Sequence, residues 1–297
     1  MPYDAIVIGG SFAGLSAAMQ LARARKRVLV VDAGKPRNRF SDASHGFLGQ
    51  DGVAPHDIMR EGARQLAAYP TVEFVQGEAI LARAKTCGFT LSLADGSEHD
   101  ASRLVLATGV RDELPAIPGL DARWGKTVLH CPYCHGYEVA GQPLGVLANH
   151  VMSPHQGGLI PEWGPTTYFT QGRFEPDAEQ LAHMLARGVT VERSPVVELL
   201  GTAPALDGVR LADGRVVKVG ALFTAPLTHM ASPLAAQLGC AFEQGPLGPY
   251  IRVDDRKQTS VPGVYAAGDA ASPMYNATMA SAAGVMAGVG THQSLLA

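Results

Sequence analysis

Tyr3-Asp4-Ala5-Ile6-Val7-Ile8-Gly9-Gly10-Ser11-Phe12-Ala13-Gly14, with Val28-Leu29-Val30-Val31-Asp32 behind it, is the stretch that decides the fold. Tyr3 to Gly9 is a short apolar run that breaks at a glycine pair, Ala13 to Ala24 carries apolar residues at helical spacing, and Val28 to Val31 reads as a second buried strand. Strand, glycine turn, helix and strand make a βαβ unit, the opening of a doubly wound nucleotide-binding sheet. The loop has to turn tightly at Gly9 and let helix and strand approach at Gly14. Amides at the helix N-terminus then meet a pyrophosphate, and Asp32 is placed to bind a ribose hydroxyl. Ser11 replaces the middle glycine of the usual fingerprint, and its small side chain leaves that approach open.

Working outward, the stretch from Gly34 to Pro55 is polar and turn-rich. Ile58 to Ala68 has helical periodicity. Val72 to Ala79 and Phe89 to Leu93 read as strands, Asp95-Gly96 as a turn, and Leu104 to Leu106 as another buried strand. The Pro-rich passage Leu114 to Gly119 is expected to cross between domains. Beyond it, strands are expected over Leu144 to Ala148, Thr167 to Thr170 and Val189 to Val191, with helices over His155 to Ile160 and Ala178 to Ala186. The middle third is therefore a second α/β unit. Asp213-Gly214 marks a hairpin, Ala221 to Thr224 a strand, and the chain closes on a small-residue helix.

The 297 residues are 46% apolar and 17% charged, with a net charge of −3, which supports buried cores and room for two domains and excludes a disordered chain. Lys and Arg are scattered, so neither nucleic acid nor an anionic membrane is an expected partner. Ala277 to Gly290 falls short of the roughly 20 residues that span a bilayer. No positive leader precedes the first apolar run, so the expectation is no signal peptide and a cytoplasmic location. Four cysteines are too few for a disulfide-stapled scaffold, and the isolated Cys87 and Cys240 are expected to be structural.

The other two cysteines lie in His130-Cys131-Pro132-Tyr133-Cys134-His135-Gly136-Tyr137-Glu138. Three chemistries compete for this run. A zinc site would crowd its ligands into six residues, which hardly surrounds an ion tetrahedrally, and no second CxxC completes a ribbon. A c-type haem attachment requires an exported protein. The third is redox: two thiols so spaced close a disulfide, and a helix N-terminus or adjacent histidine supplies thiolate near neutral pH. The redox reading is preferred, with His135 as acid-base partner and no metal. Near the C-terminus, Gly263-Val264-Tyr265-Ala266-Ala267-Gly268-Asp269 delivers a carboxylate beside a helix N-terminus, where it can accept hydrogen bonds from a chain of hydroxyls. His45 precedes a glycine in the turn-rich stretch and carries a weaker functional claim.

These three sites in this order resemble the low-molecular-weight thioredoxin reductase family of flavoproteins, over nearly the whole chain. The resemblance implies a discontinuous FAD domain, 1–114 and 243–297, and an inserted central NADPH-type domain, 115–242, carrying the CxxC. It implies that Gly9, Ser11, Gly14 and Asp32 bind the ADP half of FAD, that Ala107-Thr108-Gly109 closes the first flavin segment, and that Gly268 and Asp269 hold the ribityl chain. Phe12, Ala13, Ala33, Arg39, His45, Ala79, Ala277 and Thr278 complete the expected cofactor set. By the same likeness the CxxC swings against the flavin, with Cys134 facing it and Cys131 exchanging with substrate. A homodimer is expected.

The departures from the family are informative. Thioredoxin reductases follow the second cysteine with an aspartate; this chain has His135. Cys-Pro-Tyr-Cys-His-Gly-Tyr-Glu looks instead like the small-molecule dithiol oxidases that close disulfides in natural products such as gliotoxin, holomycin and romidepsin. That likeness implies oxidation of a small-molecule dithiol through Cys131 and Cys134, with Glu138 orienting His135 and electrons passing through FAD to oxygen or another acceptor. An NADPH- or other donor-dependent enzyme reducing a protein disulfide is the alternative. In the central domain the turn after the first strand reads Ala148-Asn149-His150-Val151-Met152-Ser153-Pro154, bulky where backbone should approach phosphate. One Arg173, not a basic cluster, follows the next strand. The domain reads as a scaffold whose NADPH site has decayed, and the sequence leaves NADP(H) binding doubtful.

Overall fold

The computed structural model describes residues 2–296. Their helices are α1 (Phe12–Arg23), α2 (Pro55–Ala67), α3 (Pro132–His135), α4 (Ser153–Leu159), α5 (Ala178–Ala186), α6 (Leu234–Gln237) and α7 (Ala277–Ser294). The chain divides into two units. One comprises Met1–Arg39, Ala54–Arg111 and Thr228–Ala297, the other Phe40–Val53 and Asp112–Leu227.

The first unit is built on a seven-stranded sheet. Val72–Gln76, Val28–Asp32, Tyr3–Ile8 and the second half of Glu98–Leu106 run parallel, and Val264–Ala266 joins them on the far side of Glu98–Leu106. Tyr3–Ile8, Val28–Asp32, the end of Glu98–Leu106 and Val264–Ala266 are buried on both faces, which is why they read as apolar runs, whereas Val72–Gln76 is a partly exposed edge strand. The first half of Glu98–Leu106 pairs antiparallel with Gly88–Leu93, which pairs with Ala79–Lys85. The sequence run Val72 to Ala79 is thus two strands: Gly77 donates its N–H to the Asp32 carbonyl, the parallel ladder ends there, and the chain turns into a hairpin. α1 and α7 cover one face, where Ala5, Val7, Leu21, Val30 and Val105 are buried.

The sheet of the second unit has five parallel strands in the order Thr190–Glu192, Thr166–Phe169, Leu144–Leu147, Ala221–Phe223, Val128–Leu129. A three-stranded antiparallel sheet, Val196–Leu200, Gly208–Leu211 and Val216–Val217, shares a core with it through Leu120, Phe169, Val209 and Leu222. Asp213-Gly214 makes the hairpin expected there, with Gly214 at a φ of +89°.

The boundaries differ from those read in the sequence. The return to the first unit falls at Thr228 and not at 243, because α6 belongs to the first core: Leu234, Ala235 and Cys240 are buried there, and Gln237 brackets the strand Ala79–Lys85 by accepting from Ala82 N–H and donating to the Ile80 carbonyl. The crossing out of it falls at Arg111, ahead of 114. Phe40–Val53, contiguous in sequence with the first unit, clusters with the second, where Phe40 packs on Gly125 and Asp42 pairs with Lys126. Cys240 is buried as expected of a packing residue, whereas Cys87 is exposed at a hairpin tip. Among the described residues no helix is long and apolar enough to cross a membrane.

Candidate active site

The glycine loop of the first unit is shaped by close approaches. Gly9 has a φ of +111°, and a Cβ there would lie 2.2 Å from the Ala107 carbonyl oxygen; a Cβ on Gly14 would lie 1.8 Å from the Gly9 oxygen. Only glycine meets both demands. The first contact also brings Ala107-Thr108-Gly109 to the glycine loop, so two stretches distant in sequence form one rim. Gly109 turns there with a φ of +66°. Asp32 accepts the Gly10 N–H at 3.1 Å. Ser11 is the N-cap of α1, yet its side chain caps nothing and instead donates its hydroxyl to Met59 Sδ at 3.2 Å. No acidic side chain sits in the first turn of α1, so the positive end of the helix is not neutralised from within.

Gly10, Ser11, Asp32, Pro36, Met59 and Arg60 line a pocket of about 230 Å³. A glycine cradle, a helix N-terminus and a carboxylate at its edge fit the ADP half of FAD. Phe12 and Ala13 are buried in the first turn of α1, and Ala33 is exposed just past Asp32. Ala79 is a strand residue paired with Leu93, its side chain against the core.

The C-terminal signature closes on the same place. Gly268 has a φ of +73°, and a Cβ there would lie 2.8 Å from that of Ala13. Asp269 is therefore carried to the N-terminal turn of α1. Its carboxylate is paired with Arg37 at 2.9 Å, and the Arg37 guanidinium lies 4.1 Å over the Tyr275 ring. The expected cofactor residue Arg39 is exposed and donates to the Pro36 carbonyl, whereas Arg37, which no local signal singles out, makes the pair with Asp269. Ala277 and Thr278 open α7, but the Thr278 and Met279 amides are taken by the Asn276 side chain. An Asn directly before a helical run is a cap signal that could have found Asn276.

In the second unit Cys131 and Cys134 form a disulfide, Cα to Cα 5.3 Å, with Cys131 as the N-cap of α3. Pro132 at the first helical position and the Gly136 N–H donated to the Pro132 carbonyl fix this single turn. Gly136 is required there, because a Cβ would lie 2.7 Å from the Trp163 ring. One turn carries little dipole, so stabilisation of a thiolate falls mainly to neighbouring side chains. Burial pushes His135 below the ordinary imidazole value, the Glu138 carboxylate draws it back up, and His45 pushes it down again.

Glu138 does not orient His135 by a hydrogen bond among the described residues. Its Oε1 lies 3.5 Å from His45 Nε2 instead. His45, placed by the sequence reading with the cofactor residues, stands edge-on to His135 with ring centroids 6.5 Å apart. The reason is the packing of Phe40–Val53 in this unit, which no local pattern in the sequence announces. Among the described residues no group of three or more His, Cys, Asp or Glu is arranged to hold a metal ion.

The turn after Leu144–Leu147 is closed on itself. Ser153 Oγ accepts the Asn149 and His150 N–H groups at 3.0 and 3.2 Å, and His150 Nδ1 accepts the Met152 N–H at 3.1 Å. Amides that a dinucleotide-binding turn presents to phosphate are here spent on its own side chains, and the residues do not fit a pyridine nucleotide pyrophosphate.

The family model of the pyridine nucleotide-disulphide oxidoreductases matches residues 3–152 and 172–284. The chain belongs to this family. Among relatives of the oxidoreductase, thioredoxin reductase tcpT of Claviceps purpurea is 32% identical over 314 residues, covering 99% of this chain and 94% of the relative. An oxidoreductase from Agrobacterium tumefaciens shares 48% identity and superposes with a TM-score of 0.95, over 100% of this chain and 99% of that one. HlmI shares 37% identity with a TM-score of 0.90, over 99% and 93%. The protein is thus a thioredoxin reductase-like, FAD-dependent disulphide oxidoreductase of two Rossmann-type units.

Proposed function

We propose that this oxidoreductase forms a disulfide in a small-molecule dithiol, using Cys131-Cys134 as its exchanging pair. The observation that carries the reading is the coupling of a CxxCH centre to a second Rossmann unit whose nucleotide turn is filled by Ser153 and His150. Electrons then have reason to enter at the thiols and not from a nicotinamide. The likeness of Cys-Pro-Tyr-Cys-His-Gly-Tyr-Glu to small-molecule dithiol oxidases supports the same direction.

A substrate thiol gives its proton to His135, which burial keeps in the neutral, proton-accepting form. The resulting thiolate attacks Cys131 Sγ, the Cys131-Cys134 bond breaks, and Cys134 leaves as a thiolate. His135 passes that proton to solvent and takes the proton of the second substrate thiol, whose thiolate attacks the substrate sulfur of the mixed disulfide and expels Cys131 as a thiolate. The substrate has lost two protons and two electrons, and the cysteine pair holds the electrons. FAD, when bound, supplies the two-electron acceptor that restores the Cys131-Cys134 disulfide, with oxygen or another acceptor downstream. Gly9, Gly14, Asp32 and Asp269 would hold it.

A cytoplasmic setting accords with the free thiols of Cys87 and Cys240. A homodimer accords with the exposed Met279, Val285, Met286 and Val289 on α7.

Anaerobic flavin bleaching tests the reaction. A small dithiol alone should bleach the flavin, NADPH should not, and Cys134→Ser should abolish bleaching by dithiol. Bleaching by NADPH with indifference to dithiol would establish the rival, a reductase of protein disulfides, which the name of the Claviceps relative favours.

A further inference from the structure

His45 faces a carboxylate on each ring nitrogen. Nδ1 is 3.6 Å from Asp51 Oδ1, and Nε2 is 3.5 Å from Glu138 Oε1. The arrangement is built into the loop: Asp51 Oδ1 also accepts the Gly46 N–H at 2.9 Å, and Gly46 turns with a φ of +70°. His45 is largely sheltered, its side chain 22% exposed, whereas Asp51 is at the surface. On its other side the ring meets His135 edge-on.

We propose that His45 is a positioning residue of the redox centre: bridging Asp51 and Glu138, it holds the Glu138 carboxylate and compensates its charge, leaving His135 free to take the proton of an incoming thiol. The inference rests on the reading of His135 as the proton acceptor. Without His45, the Glu138 carboxylate would face His135 uncompensated and hold it as imidazolium, which already carries its proton and cannot accept another. Without Glu138, His135 would be poised too low to take a thiol proton efficiently. The two together set His135 between these limits.

Several titratable groups lie on the segments that form this cluster. From the turn after α3 comes Glu138; from Phe40–Val53 come His45, Asp51 and Asp42, the last paired with Lys126; His130 precedes the cysteines. The directions of the influences on His135 agree, since the Glu138 charge raises its pKa and the His45 charge lowers it.

The test is the imidazole titration of His135, followed by NMR in the FAD-loaded protein and in its His45→Gln, Glu138→Gln and Asp51→Asn variants. His45→Gln should move the titration of His135 upward and Glu138→Gln should move it downward; Asp51→Asn, which leaves the imidazole in place, should move it upward by less. A second readout is the rate at which dithiothreitol bleaches the flavin. In His45→Gln the loss should be confined to the acid side, about tenfold there, with the alkaline rate retained. A titration of His135 that is identical in wild type and His45→Gln, or a rate lowered evenly at every pH, overturns the proposal. Shifted titrations without any bleaching by dithiothreitol in the wild type would uphold the cluster and refute the dithiol oxidase reading instead.

Discussion

Arg37 reaches from the turn after Val28–Asp32 to Asp269, and the contact of Gly268 with Ala13 places that ion pair beside the N-terminal turn of α1. Asp269 alone would put a negative charge close to where a diphosphate binds. Arg37 offsets it, and Tyr275 fixes the guanidinium from the other face, its own hydroxyl within 2.8 Å of Thr228 Oγ1. Arg37→Ala should therefore weaken FAD binding about tenfold, near the value of a hydrogen bond to a charged group, as read by titrating the apoprotein and following flavin fluorescence. Unchanged affinity would show that Asp269 needs no compensation. The sequence offered two arginines in Lys35-Pro36-Arg37-Asn38-Arg39 and no means of choosing between them, because the choice is made by a 3-10 turn that sends Arg39 outward.

α7 mixes small, apolar and a few polar residues on every side, so it has no amphipathic signal from which to read its packing. Its glycines carry the information. A Cβ on Gly284 would lie 2.1 Å from the Ala13 carbonyl oxygen, and one on Gly288 would lie 2.5 Å from that of Ala17. The two helices are in backbone contact along this stripe, and the approach holds the first turn of α1 against the Gly268 turn. Gly284→Val should cost about 3 kcal/mol, the upper end for overpacking a filled interior, and should lower flavin content in parallel; denaturant titration with and without FAD measures both. The opposite face exposes Met279 and Met286, and if it joins two protomers, Met286→Glu should convert a dimer to a monomer in sedimentation. Strands were legible where they are buried on both sides, as at Val28–Asp32 and Leu144–Leu147, and poorly legible at Val196–Leu200 and Ala79–Lys85, whose half-exposed residues follow no clean alternation.

For the molecule as a whole, the two Rossmann-type units differ at their phosphate turns: that of one lines a pocket at Gly10, and amides of the other are hydrogen-bonded to Ser153. Two sheltered histidines of the second unit make stability depend on pH. Burial holds His150 and His135 below the ordinary imidazole value. The unfolded chain thus binds more protons than the folded one between the depressed values and the ordinary one. Their contribution is present above the unfolded value and is lost as pH falls through the folded one. The melting temperature should hold from about pH 8 to about pH 7 and decline below roughly pH 6.5, and His150→Gln should flatten part of that decline. A melting temperature independent of pH across this range would contradict the burial of both rings.

By itself the sequence determined the features whose residues are neighbours in the chain. These are the Gly9 to Gly14 turn with Asp32, the Cys131-Cys134-His135 centre, and Gly268-Asp269. Each is a local backbone geometry that only certain side chains permit, so its chemistry is written at fixed spacing. Tertiary structure alone decided which distant side chains complete those sites: Arg37 at Asp269, Gly284 against Ala13, and His45 between Asp51 and Glu138. Arg37 and His45 lie in turns without periodicity, and the loop that carries His45 left its sequence neighbours to pack in the other unit. Their partners are fixed by how buried surfaces close over one another, a quantity summed over the whole chain and not carried by any short stretch of it.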